Sequence, residues 1–269
     1  MKTKKVLKNS VDIVMTLALL CLMAYQVTGE SLHEWIGIGM TAVLIVHHFL
    51  NIKWYGSLFK GKYNANRIIS TATNTLLLAS VALTAFCGMS MSNHAVPFLY
   101  GMSDMVFART AHLALSFWSF VLMGFHTGLH LPTVTAKLKP NKAVRIVCAT
   151  AFTVLAGVGL WLFIKNGIPD YIFFKTHFAF LDYDKAAVLV FLENLAIEFF
   201  FAFLGANAVR FIRSLSKKDE VKKKLFAPLV CVLIAVLIGI IPGMITPKSG
   251  TEPEWNVPQN VVLDQADTN

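Results

Sequence analysis

The chain has 269 residues, of which 56% are hydrophobic and 14% are charged, whereas an average soluble domain is roughly 45–50% apolar and 25% charged. A chain with this few charged side chains cannot cover a water-exposed surface. The composition therefore excludes a soluble globular fold and predicts a protein whose surface faces lipid. The same composition excludes a disordered chain and a collagen-like fibre. The formal net charge of +9 raises the question of nucleic-acid binding, which depends on where the basic residues lie.

Seven apolar stretches approach the length of about 20 residues that a helix needs to cross a bilayer. They predict an all-α integral membrane protein with about seven transmembrane helices. The predicted spans cover residues 11–28, 32–52, 70–92, 108–130, 145–165, 186–209 and 226–245.

The basic residues mark one side of these spans. The N-terminal segment and the connections 51–69, 131–145 and 210–224 hold four, four, four and seven Lys and Arg residues, which is 19 of the 24 in the chain. Positive charge collects on the cytoplasmic side of membrane proteins, so we expect the N-terminus inside and the C-terminal tail outside. The basic residues are divided among alternate connections and form no single patch, so we expect no nucleic-acid partner. The positive charge is explained by contact with the membrane lipid on the cytoplasmic side.

Six of the eight histidines lie in the second and fourth spans. His33 and His47 are 14 residues apart, and so are His112 and His126. Fourteen helical residues rise about 21 Å and turn about 40° short of four full turns, so each pair lies on nearly one face. Both spans run from outside to inside, which places His33 and His112 at an outer level and His47 and His126 at an inner level.

Two levels with two histidines each predict two stacked haems, each held by one imidazole from each helix. An iron with two imidazole ligands has no open position and serves electron transfer. Zinc fits less well because it prefers four ligands clustered at one point. His47 is preferred to His48 as the ligand, because one further residue rotates the ring by about 100°.

Other polar or small residues accompany these histidines. His130 and Asn51 follow the inner histidines by one helical turn and are expected to orient neighbours or reach the headgroups, while His48 is a candidate partner for a haem propionate. Arg109 is expected at the outer interface, beside a propionate or lipid headgroups. Small residues are interpreted either as room for a flat macrocycle or as ordinary helix packing. They are Gly37, Gly39, Ala42, Ala114, Ser116, Gly124 and Gly128.

Two further features concern carboxylates. Ser31 and Glu34 have the spacing of a capping box, which predicts that the second helix starts just before His33. Glu193 and Glu198 lie in the sixth, otherwise apolar span, where a carboxyl group either accepts protons during quinone chemistry or joins helices by hydrogen bonds.

The stretch Thr28-Gly-Glu-Ser-Leu-His33-Glu-Trp-Ile-Gly37, followed by His47 and Asn51-Ile-Lys-Trp54, resembles prokaryotic DUF4405-type membrane domains. These are similar to the dihaem cytochrome b subunits of hydrogenases and formate dehydrogenases. The resemblance covers about residues 11–130 and implies two b haems with His33, His47, His112 and His126 as iron ligands. It also implies a flavin- or haem-bearing electron carrier outside the prokaryotic cytoplasmic (inner) membrane.

The sequence therefore predicts a dihaem four-helix bundle over residues 1–130, three more membrane helices over 131–248 and an extracytoplasmic tail over 249–269. We expect an electron-transfer cytochrome subunit of an oxidoreductase system that accepts electrons from quinol or another donor on the cytoplasmic side. The main alternative is a proton-coupled or ion transporter with a His/Glu relay, and a purely structural membrane anchor is a third. Whether the chain forms a homo-oligomer stays open.

Overall fold

The computed structural model describes residues 2–136 and 141–216, and in these ranges the chain is helical without strands. This agrees with the predicted all-α fold. Six long helices and two short ones occur in the described ranges. They are α1 (Lys2–Met23), α2 (Tyr25–Leu50), α3 (Lys53–Ser57), α4 (Ala65–Ser90), α5 (Met105–Thr135), α6 (Lys142–Lys165), α7 (Ile168–Ile172) and α8 (Ala187–Ser216).

Three of the long helices begin at a side-chain cap. Asn64, Asp104 and Asn141 each accept a hydrogen bond from the backbone N–H three residues later, at 2.8–2.9 Å. Such a cap satisfies one of the N–H groups that the first helical turn leaves without a partner. The polar connections before α4, α5 and α6 therefore fix where these helices start.

The helices pair as two antiparallel hairpins. α1 reverses into α2 around Gly29, whose φ of +69° is a left-handed conformation that glycine adopts without a steric cost. Asp12 faces His47, and Lys8 faces Asn51. α4 and α5 form the second hairpin, since their facing residues also run in opposite directions along the chain.

α8 lies between α5 and α6. Backbone groups of α8 approach Gly124 and Gly128 of α5 and Gly159 of α6 so closely that no Cβ would fit. Phe120 of α5 and Ile197 of α8 are completely buried in the same core. Small residues thus let three helices pack at short distance, as in other membrane bundles.

Five helices are long and apolar enough to cross a membrane, namely α1, α4, α5, α6 and α8. The chain is therefore compatible with a multi-pass membrane protein. α2 has 26 residues but is not one of the five, because its histidines and carboxylates lower its apolar content. The predicted span 226–245 and the tail 249–269 lie outside the described residues, so the count of seven and the orientation stay predictions.

We call the region where α2 faces α4 and α5 the cleft; at mid-height it is filled by Met40, which is buried in one core with Phe120 and Met123. α2 packs along α1 but makes only sparse backbone contact with α4 and α5. The histidines of α2 and α5 face one another across this space, as described below. Following the predicted orientation, we call the end with the start of α1 the inner end and the opposite end the outer end.

Candidate functional site

His33 of α2 and His112 of α5 meet at the outer level of the cleft. Their ring centres are 6.0 Å apart and their planes are inclined by 72°. A metal-bound imidazole nitrogen lies about 2 Å from the metal, so two imidazoles on opposite sides of one iron have ring centres roughly 6 Å apart. The spacing of these two rings fits a single iron between them.

The ring of His112 is held by α4. Its Nδ1 lies 2.9 Å from the carbonyl oxygen of Thr84, and since a carbonyl only accepts, Nδ1 carries the hydrogen. Nε2 then keeps a free lone pair, which is the arrangement found in metal-binding histidines. Gly88 supports the same ring, because a Cβ at this position would lie 3.0 Å from Cε1 of His112.

His33 has a different environment. Its Nδ1 is buried without a hydrogen bond of normal geometry, although the carbonyl of Leu22 lies nearby. The ring of Tyr25 packs edge-on against it, with 5.1 Å between ring centres. The tautomer of His33 is therefore not fixed by a neighbour in the way that Thr84 fixes that of His112.

At the inner level, His126 of α5 is oriented by α4. Its Nδ1 lies 2.8 Å from Oδ1 of Asn74, an amide oxygen that accepts the Nδ1 hydrogen and leaves Nε2 free. The ring of His130 is close by, with 4.8 Å between the two ring centres.

His47 is oriented by α1 instead. Its Nδ1 lies 2.9 Å from Oδ1 of Asp12, and its Nε2 lies 3.4 Å from Nδ2 of Asn51. Lys8 donates to Oδ1 of the same asparagine at 2.7 Å. The ring pairs at the inner level are His126 with His130 and His47 with His48, so His47 and His126 do not repeat the close pairing of the outer level.

His48 faces a separate groove between α2 and α4. The groove has a volume of about 450 Å³, and its walls are almost entirely apolar. His48 and Tyr55 supply most of its polar character, and the tyrosine hydroxyl lies 2.7 Å from Nδ1 of His48. The structure therefore places the two neighbouring histidines of α2 on different sides of the helix.

Of the two interpretations of the small residues, helix packing is the one found at Gly124 and Gly128. They contact α8, because residues two positions from His126 are rotated by about 200° to the opposite face. The predicted capping box is wrong: α2 begins at Tyr25 with a break at Gly29, and the loop after α4 contacts the side chain of Glu34. Its carboxylate accepts hydrogen bonds from the Ser92 hydroxyl and from the backbone N–H groups of residues 93–95, at 2.7–3.0 Å.

The remaining predicted residues lie away from the cleft histidines. Arg109 is exposed one turn before His112. Glu193 accepts hydrogen bonds from Lys185 at 2.8 Å and from Asn166 at 3.0 Å, so it joins helices at the outer end. Glu198 is 5% exposed, and its Oε2 has no hydrogen-bond partner among the described residues.

A second group of candidate metal ligands lies at the outer end. Glu30, Glu34 and His94 place three ligand atoms within 4.8 Å of one another. Each level of the cleft brings two of the predicted ligands, whereas tetrahedral zinc needs four at one point.

The sequence patterns do not predict three residues that contact the clustered histidines. Asp12, Asn74 and Tyr55 each contact one of the clustered histidines. Asp12 and Asn74 are polar residues within apolar helices, which is itself a signal of function in membrane proteins. Their partners depend on how neighbouring helices align, which spacing within one helix does not reveal.

No family model, curated protein or solved structure matches the chain.

Proposed function

We propose that this chain is a dihaem cytochrome b subunit of an oxidoreductase system in a prokaryotic cytoplasmic membrane. It carries electrons from a quinol, or another donor on the cytoplasmic side, to a flavin- or haem-bearing carrier outside. The observation that carries this proposal is the 6.0 Å spacing of His33 and His112 across the cleft between the two hairpins.

In this proposal His33 and His112 hold the outer haem, and His47 and His126 hold the inner one. A haem with two imidazole ligands accepts and releases single electrons without binding oxygen. Thr84 and Asn74 accept the Nδ1 hydrogens of His112 and His126 and so keep Nε2 available for iron.

The groove between α2 and α4 is the proposed entry point for a quinol donor. A quinol combines an apolar body with a polar head, and the groove combines apolar walls with the His48–Tyr55 pair. The groove is open to the surface along Ile45, Phe49 and Ile52, so a ligand could enter from the surrounding lipid. His48 directly follows His47, so a head group bound there would be next to the inner site.

A proton-coupled transporter is the second candidate because of Glu198. A buried carboxyl group without a partner in an apolar helix is a typical protonation site in membrane transport. However, Glu198 packs against Gly124, on the opposite face of α5 from His126. The histidines and this carboxyl group therefore do not line one path.

The first prediction tests the haems directly. The purified chain, expressed with ample haem supply, should show a reduced-minus-oxidised b-type spectrum and two haems per chain. His33→Ala and His112→Ala should each lose one haem, and the double variant should lose no more than either single one, because both residues hold one iron. Pyridine haemochrome quantification per chain measures this.

His94→Ala is the matched control, because His94 is an exposed loop histidine. It should keep both haems. A colourless preparation would reject the dihaem proposal and favour the transporter. Loss of both haems in the double variant, with one lost in each single variant, would show that His33 and His112 hold different irons.

A further inference from the structure

We propose that Asp12 of α1 is the positioning residue of His47 and makes the inner haem the one with the lower reduction potential. This inference rests on the proposed dihaem function. It adds a direction to that function, because electrons then pass downhill from the inner to the outer level.

The hydrogen bonds around His47 fix which of its nitrogens carries the hydrogen. Lys8 has only donors, so the atom of Asn51 that it contacts at 2.7 Å is the amide oxygen. The amide nitrogen of Asn51 then faces Nε2 of His47 at 3.4 Å. Because that nitrogen is a donor, Nε2 must present its lone pair.

The hydrogen of His47 therefore sits on Nδ1 and is donated to Asp12 at 2.9 Å. An ionised carboxylate only accepts hydrogen bonds, so the two contacts agree with each other. A neutral imidazole with its hydrogen on Nδ1 and its lone pair on Nε2 is the tautomer that binds a metal. Lys8, Asn51 and Asp12 together select this tautomer. The Asn51 amide, which also donates to the carbonyl oxygen of His47 at 2.9 Å, would give up its contact with Nε2 when iron binds.

The four predicted ligands differ in the group that accepts a hydrogen bond from Nδ1, the ring nitrogen that would not bind iron. His112 donates to a neutral backbone carbonyl and His126 to a neutral amide oxygen. Nδ1 of His33 has no hydrogen bond of normal geometry. His47 is the one of the four that donates to a carboxylate.

A carboxylate partner makes an imidazole more basic and a stronger electron donor to its metal. Stronger donation stabilises the oxidised iron and lowers its potential. The outer pair has no such partner, so the protein environment makes the two levels unequal. The positive charge of Lys8 partly offsets the negative charge of Asp12, but Lys8 contacts Asn51, whose neutral amide lies between it and His47.

The test is a redox titration of the haem-loaded protein carrying Asp12→Asn. The lower of the two potentials should shift upward, and the higher one should stay unchanged. Glu193→Gln is the control, because this carboxylate pairs with Lys185 at the outer end and should leave both potentials in place.

Two single-haem variants show which haem has the altered potential. In His33→Ala, which keeps only the inner haem, Asp12→Asn should move the single remaining potential. In His126→Ala, which keeps only the outer haem, it should move nothing. Loss of the inner haem alone in Asp12→Asn would also support the inference, since it shows that Asp12 holds the ligand of that haem.

An unchanged lower potential, an equal shift of both potentials or a shift in the His126→Ala background would overturn the inference while two haems per chain still stand. Absence of haem from the parent protein would instead reject the proposed function. If Asp12→Asn does not fold, Asp12→Glu moves the carboxylate by one methylene and should shift the same potential upward by a smaller amount. No shift there would overturn the inference.

Discussion

Gly88 determines how closely α4 approaches the ring of His112. It lies in the last turn of α4, and its missing side chain leaves space that the imidazole fills. A larger residue would push the ring away from the Thr84 carbonyl and from His33. Gly88 is therefore part of the outer site although it contributes no side chain.

We predict that Gly88→Ala lowers the haem content from two towards one per chain, because a Cβ 3.0 Å from Cε1 of His112 displaces the ring. Overpacking of this kind costs about 1–3 kcal/mol. Haem quantification and thermal unfolding in detergent measure both effects. Gly39→Ala is the control, since a Cβ there has no neighbour within 4 Å, and equal haem loss in both variants would contradict the prediction.

At this scale the outer histidines meet as predicted, since His33 lies beside His112, whereas the rings of His47 and His126 pair with His48 and His130 instead. The 14-residue spacing predicts which face of each helix the histidines share, but how the two helices align is set by their packing. The same periodicity separates His47 from His48. Asp12 and Asn74 were missed because their contacts depend on the alignment of different helices.

Glu34 connects two elements that are distant in the sequence. It extends from the outer part of α2 and accepts four hydrogen bonds from the loop between α4 and α5. α2 otherwise touches that hairpin only sparsely. This carboxylate therefore fixes the outer end of α2 near the end of α4 and so helps to align His33 with His112.

We predict that Glu34→Gln loosens this connection, because a neutral amide accepts weaker hydrogen bonds than a carboxylate. The expected loss of unfolding free energy is roughly 1 kcal/mol. Hydrogen exchange of the amides at residues 93–95 should become faster. Glu30→Gln is the matched control, as Glu30 accepts only from the Asn93 side chain, and unchanged exchange in Glu34→Gln would refute the role.

Element boundaries were predicted unevenly. The apolar stretches locate the long helices, but the break at Gly29 and the path of the Glu34 side chain follow from tertiary contacts. The position of Gly124 and Gly128, by contrast, can be predicted from the sequence. Each lies two residues from His126, and this spacing places both on the face of α5 opposite to that histidine.

Across the whole molecule, the groove and the cleft histidines lie on neighbouring faces of α2. The groove opens towards the surface, where Ile45, Phe49 and Ile52 are more than half exposed. The rings of His47 and His48 are 5.5 Å apart, so the proposed donor site adjoins the proposed inner haem site along this helix.

We predict that His48→Ala slows reduction of the bound haems by a short-chain quinol at least tenfold, because the head group loses its hydrogen-bonding partner. Reduction by dithionite should be unaffected, since it does not use the groove. Stopped-flow absorbance measures both rates. Phe59→Ala, a truncation of an exposed apolar side chain outside the groove, is the control for general damage, and equal slowing by both variants would argue against a role for His48 in the reaction.

The sparse contact between α2 and the second hairpin also has a consequence for how the protein is assembled. α1 and α2 form a hairpin with its own tight turn, and glycine contacts join α5, α6 and α8. The two parts meet mainly through α1, whose Met15, Leu19 and Leu20 lie in the shared core. If the proposed haems bind beside α2, their insertion would add the missing contacts on that side, and haem supply would then affect the yield of mature protein.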